Sequence, residues 1–158
     1  MPRKNNKIEQ LISRVNHVQR FYEAAAQDLS GKALLILHSE TPGKVLRLEW
    51  QADIRQMTTR DGVVMRISNA RVDDDPAMWE KIMGWLNGGT SSHWVFPVVA
   101  QVLHWKNEAG EDCFSKGHVV SGIRAAHFME KTEKIIKNYM KSCPSMFKRY
   151  LKTGALPR

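Results

Sequence analysis

Apolar residues open this chain at helical spacing. Ile8, Leu11, Ile12, Val15, Val18, Phe21, Tyr22, Ala25 and Leu29 recur three and four positions apart, which is one face of an amphipathic helix. Gly31 stands where a helix C-cap is expected, so the pattern predicts a helix over about 5–29. The period then changes. Ala33-Leu34-Leu35-Ile36-Leu37 is a short continuous apolar run and reads as a strand buried on both faces. After a turn at Thr41-Pro42-Gly43, Leu46, Leu48, Trp50, Ala52 and Ile54 alternate with mostly polar neighbours, the period of a half-buried strand. Arg60-Asp61-Gly62 is a hairpin turn signal, and Val63, Met65 and Ile67 alternate again after it. Residues 33–70 are thus expected to form a three-stranded antiparallel meander.

Asp73-Asp74-Asp75-Pro76 reads as a capped helix start. Trp79, Ile82, Met83 and Leu86 supply the apolar face of a short helix over about 76–87, and Gly88-Gly89 ends it. The next segment is ambiguous between helix and strand. Pro97 argues against a central strand, so an edge strand from Trp94 is expected, running into a hairpin that turns at Glu108-Ala109-Gly110-Glu111 and returns over Cys113–Val120. Residues 122–153 read as helical, with Pro144 breaking the segment in two and Gly154 ending it. The expected fold class is α+β: an N-terminal amphipathic helix, a β-rich middle over about 33–120 with an antiparallel sheet of three to five strands and one inserted helix, and C-terminal helices broken at Pro144 and packed on one sheet face. The length, 158 residues, suits one domain.

Charge changes the picture by its placement. The net charge is +8. Residues 1–22 hold five Lys/Arg and one acid, residues 23–113 nine and thirteen, residues 114–158 ten and two. The middle is mildly acidic and both ends are basic, which is a signal about partners more than about fold. At about 100° per residue, Lys134, Lys137 and Lys141 lie opposite the apolar residues Phe128, Ile135, Ile136 and Tyr139, with Lys131 at the edge. Lys148, Arg149 and Lys152 extend the stripe, and Arg3, Lys4 and Lys7 add charge at the other end of the chain. Such a stripe can neutralise nucleic-acid phosphates. An acidic protein surface is the alternative partner. A membrane fits less well, because no apolar run approaches the roughly 20 residues of a span and the apolar face of the tail is needed for the core.

Candidate chemistry adds little. His104, Cys113, His118 and His127 match no zinc-ligand spacing. Cys113 and Cys143 form no CxxC pair, and with no secretory signal they read as reduced thiols of a cytoplasmic protein. Glu49, Asp53 and Asp61 complete no nuclease pattern, and phosphate-loop and dinucleotide fingerprints are missing. Among the tryptophans, Trp50 and Trp79 fit core stripes, whereas Trp85, Trp94 and Trp105 are candidates for exposure. The expectation is a non-enzymatic nucleic-acid-binding protein, or alternatively an adaptor or inhibitor that docks on an acidic partner in a larger assembly, without metal or cofactor.

Overall fold

The computed structural model describes residues 5–57, 62–71, 75–107 and 109–158. It is mixed helix and sheet, an α+β protein. In chain order the elements are α1 (Asn5–Asn16), α2 (Val18–Glu40), α3 (Lys44–Leu48), β1 (Trp50–Gln56), β2 (Val63–Asn69), α4 (Pro76–Gly88), β3 (His93–Val95), β4 (Leu103–Lys106), β5 (Asp112–Ser115), β6 (His118–Val120) and α5 (Phe128–Thr153).

The long central helix corrects the expected N-terminal architecture. Residues 33–37 are helix, not strand, and Gly31 lies inside α2 instead of capping it. The reason is a stripe with a step of four. Phe21, Ala25, Leu29, Ala33 and Leu37 are all buried, so helical burial continues straight through Gly31 and overrides the local strand reading. The helix expected over 5–29 is instead two helices, separated at His17. Residues 44–48 form α3, and the strand begins only at Trp50.

The expected sheet of three to five strands is not formed by the described residues. They give three separate two-stranded antiparallel pairs, β1–β2, β3–β6 and β4–β5, because losing residues 33–37 to α2 removes the third strand of the meander. The β1–β2 hairpin runs in register from Trp50↔Asn69 to Gln56↔Val63. Its expected turn at Arg60-Asp61 lies outside the described residues, as do Asp73 and Asp74 ahead of α4. Asp75 caps α4, its carboxylate accepting from the Met78 N–H at 3.3 Å, with Pro76 in the first turn.

α5 is one uninterrupted helix of 26 residues with Pro144 inside it, not two helices broken there. It starts at Phe128, since residues 121–127 are non-helical. Proline removes one helical hydrogen bond, a loss of about 3 kcal/mol in a helix interior. The apolar stripe Tyr139, Cys143, Met146, Phe147 and Tyr150 spans the proline and packs on α2, which holds the helix together across it. Nor does α5 lie on a sheet face; its main neighbour is α2. The two run antiparallel. Near one end, the Phe21 ring lies 5.1 Å from Phe147 and 5.5 Å from Tyr150. Near the other, Phe128 packs with Leu37, Leu46 and Met83, against which Trp50, Ile67 and Trp79 are laid. The Tyr150 hydroxyl donates to His17 O at 3.1 Å, and Arg14 Nη1 donates to Leu151 O at 2.9 Å. These bonds fix the α1–α2 corner to the end of α5.

Gly31 sits mid-helix, and a Cβ there meets nothing within 4 Å. Gly31→Ala is therefore expected to stabilise the protein by about 0.5–1 kcal/mol, a rise of roughly 1–4 °C in Tm by calorimetry. A fall in Tm would restore Gly31 to a cap.

Candidate interaction surfaces

The basic face of α5 is as far from the core as the helix allows. Phe128, Thr132, Tyr139 and Tyr150 are buried. At about 100° per residue, Lys134, Lys137, Lys141, Lys148 and Lys152 occupy one narrow sector on the opposite side, with Lys131 and Arg149 at its edge. All seven are exposed. Because α5 is continuous, the stripe spans about 27 Å of helix from Lys134 to Lys152, at 1.5 Å per residue. Two of the seven cations are already paired. Lys131 Nζ lies 2.6 Å from a Glu40 carboxylate oxygen and Lys137 Nζ 2.5 Å from Glu133. Lys134, Lys141, Lys148, Arg149 and Lys152 have no ion pair with a described residue. Lys7 is exposed on α1; Arg3 and Lys4 lie outside the described residues.

The chain's two basic ends meet. Arg14, His17 and Arg20 share a shallow cleft with Tyr150, Gly154 and Leu156, and Arg149 and Arg158 line its neighbour. Arg14, Arg20 and Arg158 were not among the expected site residues, because only the folded α1–α2 corner brings them beside the end of α5.

The edge strand and hairpin expected over 94–120 are present, and Trp94 and Trp105 are exposed as expected; that the segment forms a second surface was not expected. β3 pairs with β6 and β4 with β5, and these two short ladders, with residues 96–102 between β3 and β4, make up an arm over residues 90–122. None of the four strands packs substantially on a helix or on the β1–β2 hairpin. No described residue from Thr90 to Gly122 is buried. The arm instead turns apolar side chains outward: Trp94, Phe96, Val98, Val99, Trp105, Phe114 and Val119, with Val99 99% exposed. The rings pair along it, Trp94 on Phe96 at 5.6 Å, His104 on Phe114 at 4.8 Å and Trp105 on His118 at 4.9 Å. The available signal was the run Trp94 to Val99, apolar at nearly every position and interrupted by Pro97, which suits neither a core strand nor a core helix. Trp85 is also exposed, whereas Trp50 and Trp79 are largely covered, packed beside Phe128. On α1, Ile8, Leu11, Ile12 and Val15 are 45–62% exposed, so its predicted apolar face exists but covers nothing.

The total surface expresses this directly. The chain exposes 12055 Å². A compact monomer of 18.1 kDa exposes about 8,100 Å².

Burial, with the Asp28 carboxylate beside it, raises the pKa of the Tyr139 phenol far above its ordinary value. Burial also raises the Cys143 thiol, the opposite of what activates a nucleophile. Glu130 is lowered by the backbone N–H it accepts from and by the Asn87 side chain. His104, Cys113, His118 and His127 do not converge: among the described residues no group of three or more His, Cys, Asp and Glu could hold a metal ion. No helix among those residues is long and apolar enough to cross a membrane. Comparison with protein-family models, curated proteins and solved structures finds no match.

The arm joins the body through two glycines. A Cβ on Gly122 would fall 2.0 Å from Thr90 O, and one on Gly89, at φ +75°, 2.7 Å from Ile123 O. Thr90 N–H donates to Ile123 O at 2.9 Å across the same neck. Gly122→Ala is expected to force the two chains apart. Proteolysis within residues 92–119 should accelerate at least tenfold while helical circular dichroism is retained. Unchanged cleavage would mean the neck does not hold the arm.

Proposed function

We propose that this protein is a non-enzymatic binding subunit of a larger protein assembly, in which partners cover the arm and the apolar face of α1. The observation that carries this reading is the arm itself: none of its described residues is buried, and its aromatic and branched side chains face outward. Apolar patches of this extent mark interaction sites, and Trp, Tyr and Phe are the side chains that anchor interfaces. The excess surface of nearly 4,000 Å² over a compact monomer is several times the roughly 800 Å² that one partner of standard size covers. The test is co-purification after nuclease treatment, comparing the wild type with Trp94→Ser/Phe96→Ser/Val99→Ser. These side chains hold no core, so helical content and Tm should persist, while the retained partner is lost with an affinity decrease of thirtyfold or more. A variant that retrieves the same partner equally well refutes the reading.

A second reading is supported by the continuous stripe of α5. In it, Lys134, Lys141, Lys148, Arg149 and Lys152, joined by Lys131, Lys137 and the N-terminal Arg3, Lys4 and Lys7, hold nucleic-acid phosphates. Polyanion binding of this kind is salt-dependent, with a slope near −0.9 per phosphate neutralised. Anisotropy with a fluorescent DNA duplex at 50 and 200 mM salt is the measurement. Lys134→Glu/Lys141→Glu/Lys148→Glu is expected to weaken binding by more than tenfold and to flatten the salt slope by about three contacts. Affinity indifferent to both salt and this triple change excludes nucleic acid and leaves the stripe to an acidic protein surface.

A further inference from the structure

The β1–β2 hairpin has a fixed hydrogen-bond phase. Met57 N–H donates to Gly62 O at 3.1 Å beyond one end of the ladder, and Ala70 N–H donates to Glu49 O at 3.0 Å beyond the other. The register between them is unbroken. Bonded and non-bonded pairs alternate in an antiparallel ladder. Val64, Arg66 and Ser68 therefore turn their backbone groups toward β1, and Met65, Ile67 and Asn69 turn theirs to the outer edge. No described backbone group bonds to that edge.

The edge is also one wall of a cleft of about 610 Å³. Arg66, Ile67, Ser68 and Asn69 line it consecutively. Successive side chains of a strand point to opposite faces, so four in a row can line one cavity only if it runs along the strand edge. The other wall is α4, contributing Pro76, Glu80, Met83, Gly84 and Asn87, positions one turn apart on a single helix face. Trp50 and Met129 complete the lining with apolar surface.

We infer that this cleft takes an extended peptide from a partner protein, added as a third strand beside β2. A strand edge opposite a helix face is a known geometry for such addition, main-chain bonds supplying affinity and alternate side chains specificity. The volume falls within the roughly 300–1,000 Å³ of binding clefts. The peptide pairs its backbone with Ile67 and Asn69 and lays an apolar side chain against Trp50, Met83 and Met129. Its opposite positions meet Arg66 on the strand wall and Glu80 on the helix wall. The chain's net charge of +8 steers acidic segments toward the cleft, so a peptide carrying an acid at one of its polar positions is the complementary choice. This site shares no residue with the arm, the α1 face or the α5 stripe, so it stands or falls apart from both readings above.

The test uses the full chain and a phage-displayed library of random eight-residue peptides, followed by titration of a synthetic copy of the enriched sequence. Gly84→Gln is the blocking variant, because a Cβ at Gly84 meets nothing within 4 Å and the new side chain extends into the cleft from a helix that gains propensity. Met129→Arg, at a half-exposed position, blocks from α5. Enriched peptides are expected to alternate apolar and polar residues with an acid. They should slow amide hydrogen exchange at Ile67, and each blocking variant should weaken binding at least tenfold with Tm unchanged or higher for Gly84→Gln. The inference is overturned if no sequence is enriched, if both variants bind equally well, or if the protected amides lie outside β2.

Discussion

The structure depends on the antiparallel contact between α2 and α5. One end is closed by Phe21 wedged between Phe147 and Tyr150, the other by Phe128 against Leu37. Every other element of the body is fastened to this pair. Met65 of β2 packs on the first cluster and Ile67 on the second, so the hairpin lies across both. Tyr150 also carries the hydrogen bond that sets the α1–α2 corner. Because the two helices are joined along their length, α5 tolerates a proline that would break an isolated helix.

The same contact explains what was legible in the sequence. The α+β class, the β1–β2 alternation, the capped start of α4 and the apolar face of α5 follow from period and caps, and all recur in the fold. Residues 33–37 misled because five apolar residues in a row satisfy a strand and a buried helix equally. Their helical state is decided by Ala33 and Leu37 continuing the line of Phe21, Ala25 and Leu29, and by α5 being there to cover that line. Pro144 misled for the same reason: a local breaker was outweighed by packing that only the folded chain contains. Of the candidate site, the lysine stripe was readable as helix phase. Of the arm, the hairpin and the exposure of Trp94 and Trp105 were readable, but its role as a surface was not, because periodicity marks a face that is buried, and the described residues of the arm bury none.

Charge and apolarity are segregated in this molecule. Cations occupy the outer face of α5 and the corner where the two ends of the chain meet. Exposed aromatic residues cluster on the arm, and exposed branched residues lie there and on α1. Polyanion contacts weaken as salt rises, whereas apolar burial is insensitive to moderate salt and weakens on cooling. The two surfaces thus respond to different solution variables although they lie on one short chain.

The neck gives the arm mechanical consequences. Its two strands leave the body between the end of α4 and the start of α5, and that junction is stitched by more than Gly89 and Gly122. Ala126 N–H donates to Leu86 O at 3.2 Å, His127 N–H to Asn87 O at 3.0 Å, and the Asn87 side chain reaches both Met129 N and Glu130. These bonds tie the base of the arm to the first turn of α5, so a partner that shifts that base also shifts the start of the helix whose far end holds the α1–α2 corner through Tyr150.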